Sequence, residues 1–65
     1  MMRKVYFKPE RSTKRTIRFQ EVGNELGVGV AIGVLYVQKD ALSMIEYKYG
    51  DVLVLSLMEK GEDEE

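Results

Sequence analysis

Apolar and polar residues alternate along several stretches of this chain, and an alternation of period two is typical of a β-strand rather than of a helix. Residues 3–8 combine β-branched and aromatic side chains, so we predict a first strand there. Pro9 should end this strand, because proline lacks the backbone N–H that a sheet ladder requires. A polar loop is expected over residues 10–13.

Residues 14–20 predict a second strand with one buried face and one wet face. Ile17 and Phe19 fall on the face that we expect to be buried. Arg18 and Gln20 fall on the opposite face, where they should meet solvent.

Two further strands are predicted, and both are apolar on their two faces. After a turn at residues 23–24, the segment 28–38 has a bulky apolar row on one face and a row that begins with small residues on the other. Residues 51–59 repeat this pattern with leucines on one face and mainly valines on the other. Strands of this kind are typically buried on both faces, and a 65-residue monomer has too few other elements to cover four apolar faces.

A short helix is predicted between these two strands. Residues 39–47 can form about two turns, with Ala41, Leu42 and Ile45 facing inward at helical spacing. Asp40 lies near the start, where a negative charge interacts favourably with the helix dipole.

These elements predict a mainly β fold: a small sheet or partial barrel of about four strands with one short helix. We expect residues 1–60 to form a single domain and residues 61–65 to be a disordered acidic tail. A domain this small buries only about 60% of the surface of its unfolded chain. Because the chain contains neither cysteine nor histidine, disulfides and zinc cannot compensate, so we expect a homodimer or higher oligomer to complete the fold.

Catalysis is not expected. Without histidine, the commonest general base and every Ser-His or Cys-His nucleophile pair are missing. Glycines at positions 27, 29 and 33 lack the spacing and the following lysine of a phosphate-binding loop, so they predict close strand packing or a bulge. We therefore predict a protein without enzymatic activity, cofactor or metal.

No membrane insertion or secretion is expected either. The apolar run 28–37 is shorter than the roughly 18 residues that a membrane span needs. The N-terminus also lacks the apolar core of a signal peptide. The prediction is a cytoplasmic protein.

Charge is distributed very unevenly along the sequence. Residues 1–18 carry seven cations and one acid, whereas the remaining 47 residues carry three lysines and ten acids. A basic segment beside an acidic body is typical of a surface that binds nucleic acid, since lysine and arginine neutralise phosphates. The candidate nucleic-acid-binding residues are Arg3, Lys4, Lys8, Arg11, Lys14, Arg15 and Arg18.

Tyr6, Phe7 and Phe19 lie among these charges and could stack on bases if they are exposed, although the alternation favours a core position for Phe19. The acidic tail could compete for the basic surface. The alternative is a protein-interaction or assembly module without any nucleic-acid role, in which the basic segment pairs with acids of a neighbouring subunit.

The segment 36–41 is Tyr-Val-Gln-Lys-Asp-Ala, and it is followed by Ile45, Tyr47 and the run Gly-Asp-Val-Leu-Val at 50–54. This order resembles the AbrB-like swapped-hairpin family of transcription factors and antitoxins. In that family a strand leads into a Pro-Lys-acid helix start, and a Gly-Asp pair opens the next strand. Here Gln38 stands at the proline position and Glu46 at the position of the glycine that ends the family's helix.

The resemblance implies an intertwined homodimer and a possible transcription regulator that binds DNA through arginines of its N-terminal strands. Carried over to this sequence, that role falls on Arg15 and Arg18. Residues 14–39 are also similar to short bacterial and phage proteins that contain an Arg-Phe-x-Glu strand followed by Gly-x-Leu-Tyr-Val-x-Lys.

Overall fold

The computed structural model describes residues 2–59, and these contain four β-strands and one short helix. The elements are β1 (Met2–Ser12), β2 (Thr16–Asn24), β3 (Val34–Gln38), α1 (Lys39–Met44) and β4 (Leu53–Met58). The strands form one antiparallel sheet in the order β3-β2-β1-β4, which curls into a half-barrel. The predicted mainly β fold is confirmed. The predicted tail at 61–65 lies outside the described residues.

Two β-bulges interrupt the pairing of β1 with β2. One places Glu10 as an extra residue of β1 between the pairs made by Pro9 and Arg11, and the other places Val22 as an extra residue of β2. A bulge bends its strand and increases the local twist. One bulge on each strand therefore helps the hairpin to curl. The pairing is shifted by one residue between the two bulges and returns to the first register beyond them.

Pro9 does not end β1, and that prediction is wrong. The strand continues through Pro9 to Ser12, and Pro9 pairs with Phe19. The reason is that β4 pairs with β1 only from Met2 to Phe7. Beyond Phe7 the strand has one neighbour, and proline is tolerated at such an edge and next to a bulge.

One face of the sheet packs the core. Ile17 and Phe19 are buried, as the alternation predicts, and Val5 and Phe7 of β1 lie beside them. The buried residues of the cluster are Val5, Phe7, Ile17, Phe19, Leu42 and Leu53. Leu42 comes from α1, so the helix contributes one side chain to this core.

The strand predicted over residues 28–38 forms only from Val34 to Gln38. Residues 25–33 instead make a loop, in which Gly27 and Gly33 adopt positive φ values of 77° and 96° that interrupt an extended chain. Val28 and Val30 in this loop are 52% and 69% exposed. The prediction of a long buried strand is therefore wrong for residues 28–33.

The helix is shorter than predicted. Leu42 is buried as expected, but Ala41 and Ile45 are exposed, so their predicted inward positions are wrong. After Met44 the backbone N–H of Glu46 bonds the carbonyl of Ser43 and that of Tyr47 bonds the carbonyl of Leu42. This is a Schellman motif, and it ends the helix before a second inward-facing turn can form.

Glu46 takes the left-handed position of this motif, with φ 56°. Its neighbour Tyr47 turns back towards the core, where its ring packs edge-on against Phe19 with centroids 5.6 Å apart. Asp40 lies in the first turn of α1, as predicted.

Candidate nucleic-acid interface

The face of the sheet that points away from the core, which we call the outer face, is rich in polar and aromatic side chains. The alternation along each strand places it opposite the buried residues, and the bulge at Glu10 brings Arg11 onto the same face as Arg18. Its members on the first three strands are Lys4, Tyr6, Lys8, Arg11, Thr16, Arg18, Gln20, Val34, Tyr36 and Gln38. All of these side chains are exposed or half-buried.

Arg18 is at the centre of this face. It pairs across the sheet with Arg11 on one side and with Tyr36 on the other. Its Nε lies 3.0 Å from Oε1 of Glu10, although at an angle that makes no hydrogen bond, so the contact is electrostatic. The guanidinium carbon is 5.9 Å from the centroid of the Tyr36 ring, within the range of a cation–π contact.

More cations lie where the β1–β2 turn meets the start of α1. The backbone N–H of Lys39 donates a 2.7 Å hydrogen bond to the carbonyl of Arg15, which ties the helix to the turn. A depression at this junction is lined by Lys14, Arg15, Gln38, Lys39 and Asp40. We use the name basic cluster for the set Lys8, Arg11, Lys14, Arg15, Arg18 and Lys39.

The two remaining candidates lie at the other end of β1. Arg3 pairs with Leu57 on the core side and lines a hollow with Leu26 and Met58. The backbone N–H of Lys4 donates to Glu25, so an acid lies beside this end. Eight residues of strand separate Arg3 from Arg11, which corresponds to roughly 25 Å. Five of the seven candidate residues are thus brought together, and two are not.

The aromatic candidates have different environments. Phe7 and Phe19 are fully buried, so neither can stack on a base, and that possibility is wrong for both. Tyr6 is half-buried, and its hydroxyl donates a 3.0 Å hydrogen bond to Glu25. This bond raises the pKa of Tyr6, and the pKa of Glu25 is lowered chiefly by the N–H of Lys4.

Two residues of this surface were missed at the level of sequence. Tyr36 is 57% exposed, and Lys39 adds a cation from outside the first eighteen residues. The alternation along residues 28–38 places Tyr36 in the bulky apolar row of a strand that is predicted to be buried on both faces. The polar Gln38, two positions later on the same face, is the signal that this face of β3 meets solvent.

Glu21 organises the loop between β2 and β3. Its carboxylate accepts hydrogen bonds from the backbone N–H groups of Ala31, Ile32 and Gly33 and from the Asn24 amide, at 2.7 to 3.1 Å. The bond from Ile32 is the largest of the effects that lower the pKa of Glu21 to about 2. A carboxylate that is ionised and fully occupied in this way holds a loop in place and is unsuited to act as a general base.

Within residues 2–59, no group of three or more acidic, histidine or cysteine side chains is placed to hold a metal ion. The helix in this range is neither long enough nor apolar enough to cross a membrane.

Comparison of the chain with protein-family models, with curated proteins and with solved structures finds no significant match. The resemblance to the AbrB-like family is not tested by these comparisons and stays a prediction.

Proposed function

We propose that the protein is a small homo-oligomeric nucleic-acid-binding protein, with DNA as the favoured ligand, that contacts phosphates through the basic cluster. The observation that supports this most directly is the pairing of Arg11 with Arg18 on the outer face. Like charges directly opposite each other destabilise a sheet. An anionic ligand between them would offset that repulsion, whereas a surface that meets only solvent has no fixed negative charge to do so.

The local charge balance also favours this proposal. The basic cluster contains six cations, and the acids next to it are Glu10 and Asp40. A protein whose net charge is −1 thus presents a positive surface at one place. Phosphate binding at such a surface releases counterions and depends steeply on salt.

The proposal can be tested by removing the same amount of charge at two places. The Arg15→Ala, Arg18→Ala double variant removes two cations of the basic cluster, and the Arg3→Ala, Lys4→Ala variant removes two from the other end of β1. DNA affinity is measured by fluorescence anisotropy from about 50 to 300 mM salt, because the slope of log K against log salt reports the number of phosphate contacts. Circular dichroism spectra of both variants are compared with that of the original protein as a control for folding.

The cluster variant should bind more weakly, and for two lost contacts the slope of log K against log salt should become shallower by about 1.8 on duplex DNA or about 1.4 on a single strand. The control variant should keep the slope of the original protein. Equal losses in both variants would show diffuse attraction to the N-terminal charge and would contradict a site at the cluster.

The second candidate is an assembly module without a nucleic-acid role. It is favoured by the contact of Arg18 with Glu10, which shows a cation of this face already engaged by an acid. In that case the original protein would bind neither DNA nor RNA at 50 mM salt, and its basic cluster would pair with acids of another subunit.

A further inference from the structure

We propose that the ligand of this surface is single-stranded nucleic acid, with one base stacked on Tyr36 while its phosphates contact Arg18 and Arg11. This inference rests on the proposed function and names the class of ligand within it. It depends on the environment of Tyr36, on the width of the sheet and on the construction of α1.

Tyr36 offers an accessible aromatic ring inside a basic surface. More than half of its surface is exposed, 57%, on a strand whose second edge is unpaired within the described residues. No hydrogen bond holds its hydroxyl to another part of residues 2–59, in contrast to Tyr6, which bonds Glu25. A base can therefore reach the ring, and base–aromatic stacking is tolerant of sequence because every base has a π-face.

The cations are placed for the backbone of the same strand. Arg18 lies on the adjacent β-strand and Arg11 on the next one, so the three side chains form a row across the sheet. Neighbouring strands are about 4.8 Å apart, which puts Arg11 roughly 10 Å from Tyr36. A ring at one end of a row and two guanidinium groups along it can bind a base and its flanking phosphates together.

Double-stranded DNA fits this surface less well. Its bases stack on one another, so their faces are not available to Tyr36. A two-stranded ribbon can enter the major groove, which is about 12 Å wide, but Arg11, Arg18 and Tyr36 lie on three paired strands, β1, β2 and β3. Three strands at this spacing already measure about 10 Å between the outer axes, before side chains are added.

The helix does not provide an alternative way to read a duplex. It has six residues, and its first N–H is bonded to Arg15. Leu42 fixes its inner side in the core. A recognition helix must lie free along the groove with several side chains on base edges, and α1 is too short and too closely attached for that.

The test compares Tyr36→Leu with Tyr36→Phe, which remove and keep the ring, respectively. Tyr49→Leu is the matched control, because Tyr49 is 58% exposed but lies in the connection between α1 and β4. Three fluorescein-labelled probes are used: a 12-nucleotide mixed-sequence single-stranded DNA, its duplex, and an oligonucleotide of the same length with abasic sites throughout. The Arg15→Ala, Arg18→Ala variant is measured in parallel.

The single strand should bind more tightly than the duplex. Tyr36→Leu should weaken its binding by roughly 5- to 140-fold, the range of one stacked base. Tyr36→Phe and Tyr49→Leu should remain close to the original affinity. On the abasic probe, Tyr36→Leu should have no effect, because that probe offers phosphates without bases.

Two unfavourable outcomes are distinguishable. If the single strand and the duplex bind equally, or if Tyr36→Leu leaves the affinity for the single strand unchanged while the arginine variant weakens it, the stacking proposal is wrong and phosphate binding stands. If no probe binds the original protein at 50 mM salt, the proposed function itself fails.

Discussion

The carboxylate of Glu21 accepts a 2.7 Å hydrogen bond from the backbone N–H of Ile32, eleven residues further along the chain. The N–H groups of Ala31 and Gly33 bond the same carboxylate. These donors would otherwise be available to a sheet ladder. A single side chain thus takes the place of a partner strand and holds the segment before β3 as a loop.

This relationship predicts an acid-sensitive fold. The pKa of Glu21 is lowered from 4.5 to about 2 in the folded chain. A depressed folded pKa contributes stability that is present above the unfolded value and lost as the pH falls. The contribution should therefore be complete above about pH 4.5 and disappear towards pH 2. Thermal unfolding followed by circular dichroism at pH 7, 4.5, 3 and 2 measures it.

Glu21→Gln isolates the effect of this charge. The variant should melt below the original protein at pH 7, and the difference should narrow as the pH approaches 2, because protonation of Glu21 then removes the charge that the variant lacks. Glu46→Gln is the control, since Glu46 is an exposed acid in the turn after α1. A melting-temperature difference for Glu21→Gln that stays constant from pH 7 to pH 2 would mean that the charge has no role.

Glu46→Gly should stabilise the protein. Glu46 occupies the left-handed position of the Schellman motif with φ 56°, a conformation that costs a residue with a Cβ about 1 to 2 kcal/mol. Glycine avoids this cost but loses entropy on folding, so the expected net gain is about 0.5 to 1 kcal/mol. Urea unfolding measures it, with Glu46→Ala as control. A glycine variant no more stable than the alanine variant would contradict this explanation.

The proposed oligomer should have a mass larger than that of one chain, and we expect its interface at β4. Met58 is 68% exposed on β4, an edge strand of the sheet, and lines a hollow with Leu26 and Leu57. Sedimentation at micromolar concentration should give a mass of two or more 7.5 kDa chains for the original protein. Met58→Asp should reduce the mass to that of one chain and leave the circular dichroism spectrum unchanged.

Ile45→Asp is the matched control, because Ile45 is similarly exposed, at 63%, but lies after α1. It should keep the oligomeric mass. A single 7.5 kDa species for the original protein would exclude the oligomer. Dissociation by Ile45→Asp but not by Met58→Asp would show that the interface includes the end of α1 and not β4.

The sequence was most informative where side chains alternate cleanly. Ile17 and Phe19 are buried and Arg18 is on the opposite face, as predicted. In a strand with one solvated side, the alternation of period two allows only one assignment of residues to the two faces. The same rule failed at residues 28–33, where apolar residues continue the alternation but Glu21 captures the backbone donors. These hydrogen bonds join residues that are ten or more positions apart, so no local sequence pattern predicts them.

The candidate site was predictable in composition more than in position. The charge count identified the basic residues. It could not show that Arg3 and Arg11 lie at opposite ends of the same long strand, because the sequence predicts a strand that ends before Arg11. The bulge at Glu10 decides which face Arg11 occupies, and Lys39 joins the cluster through its contact with Arg15. Both depend on pairing between strands.

The opposition of Arg11 and Arg18 across the β1–β2 pair implies a compromise between activity and robustness. In the empty protein the two guanidinium groups repel each other, and Glu10 offsets part of this repulsion. Arg11→Gln should therefore raise the melting temperature without nucleic acid, while ligand should raise it less than in the original protein. A lower melting temperature in the empty variant would contradict this. Under the proposed function, the two arginines lower the stability of the free protein and raise that of its complex with nucleic acid.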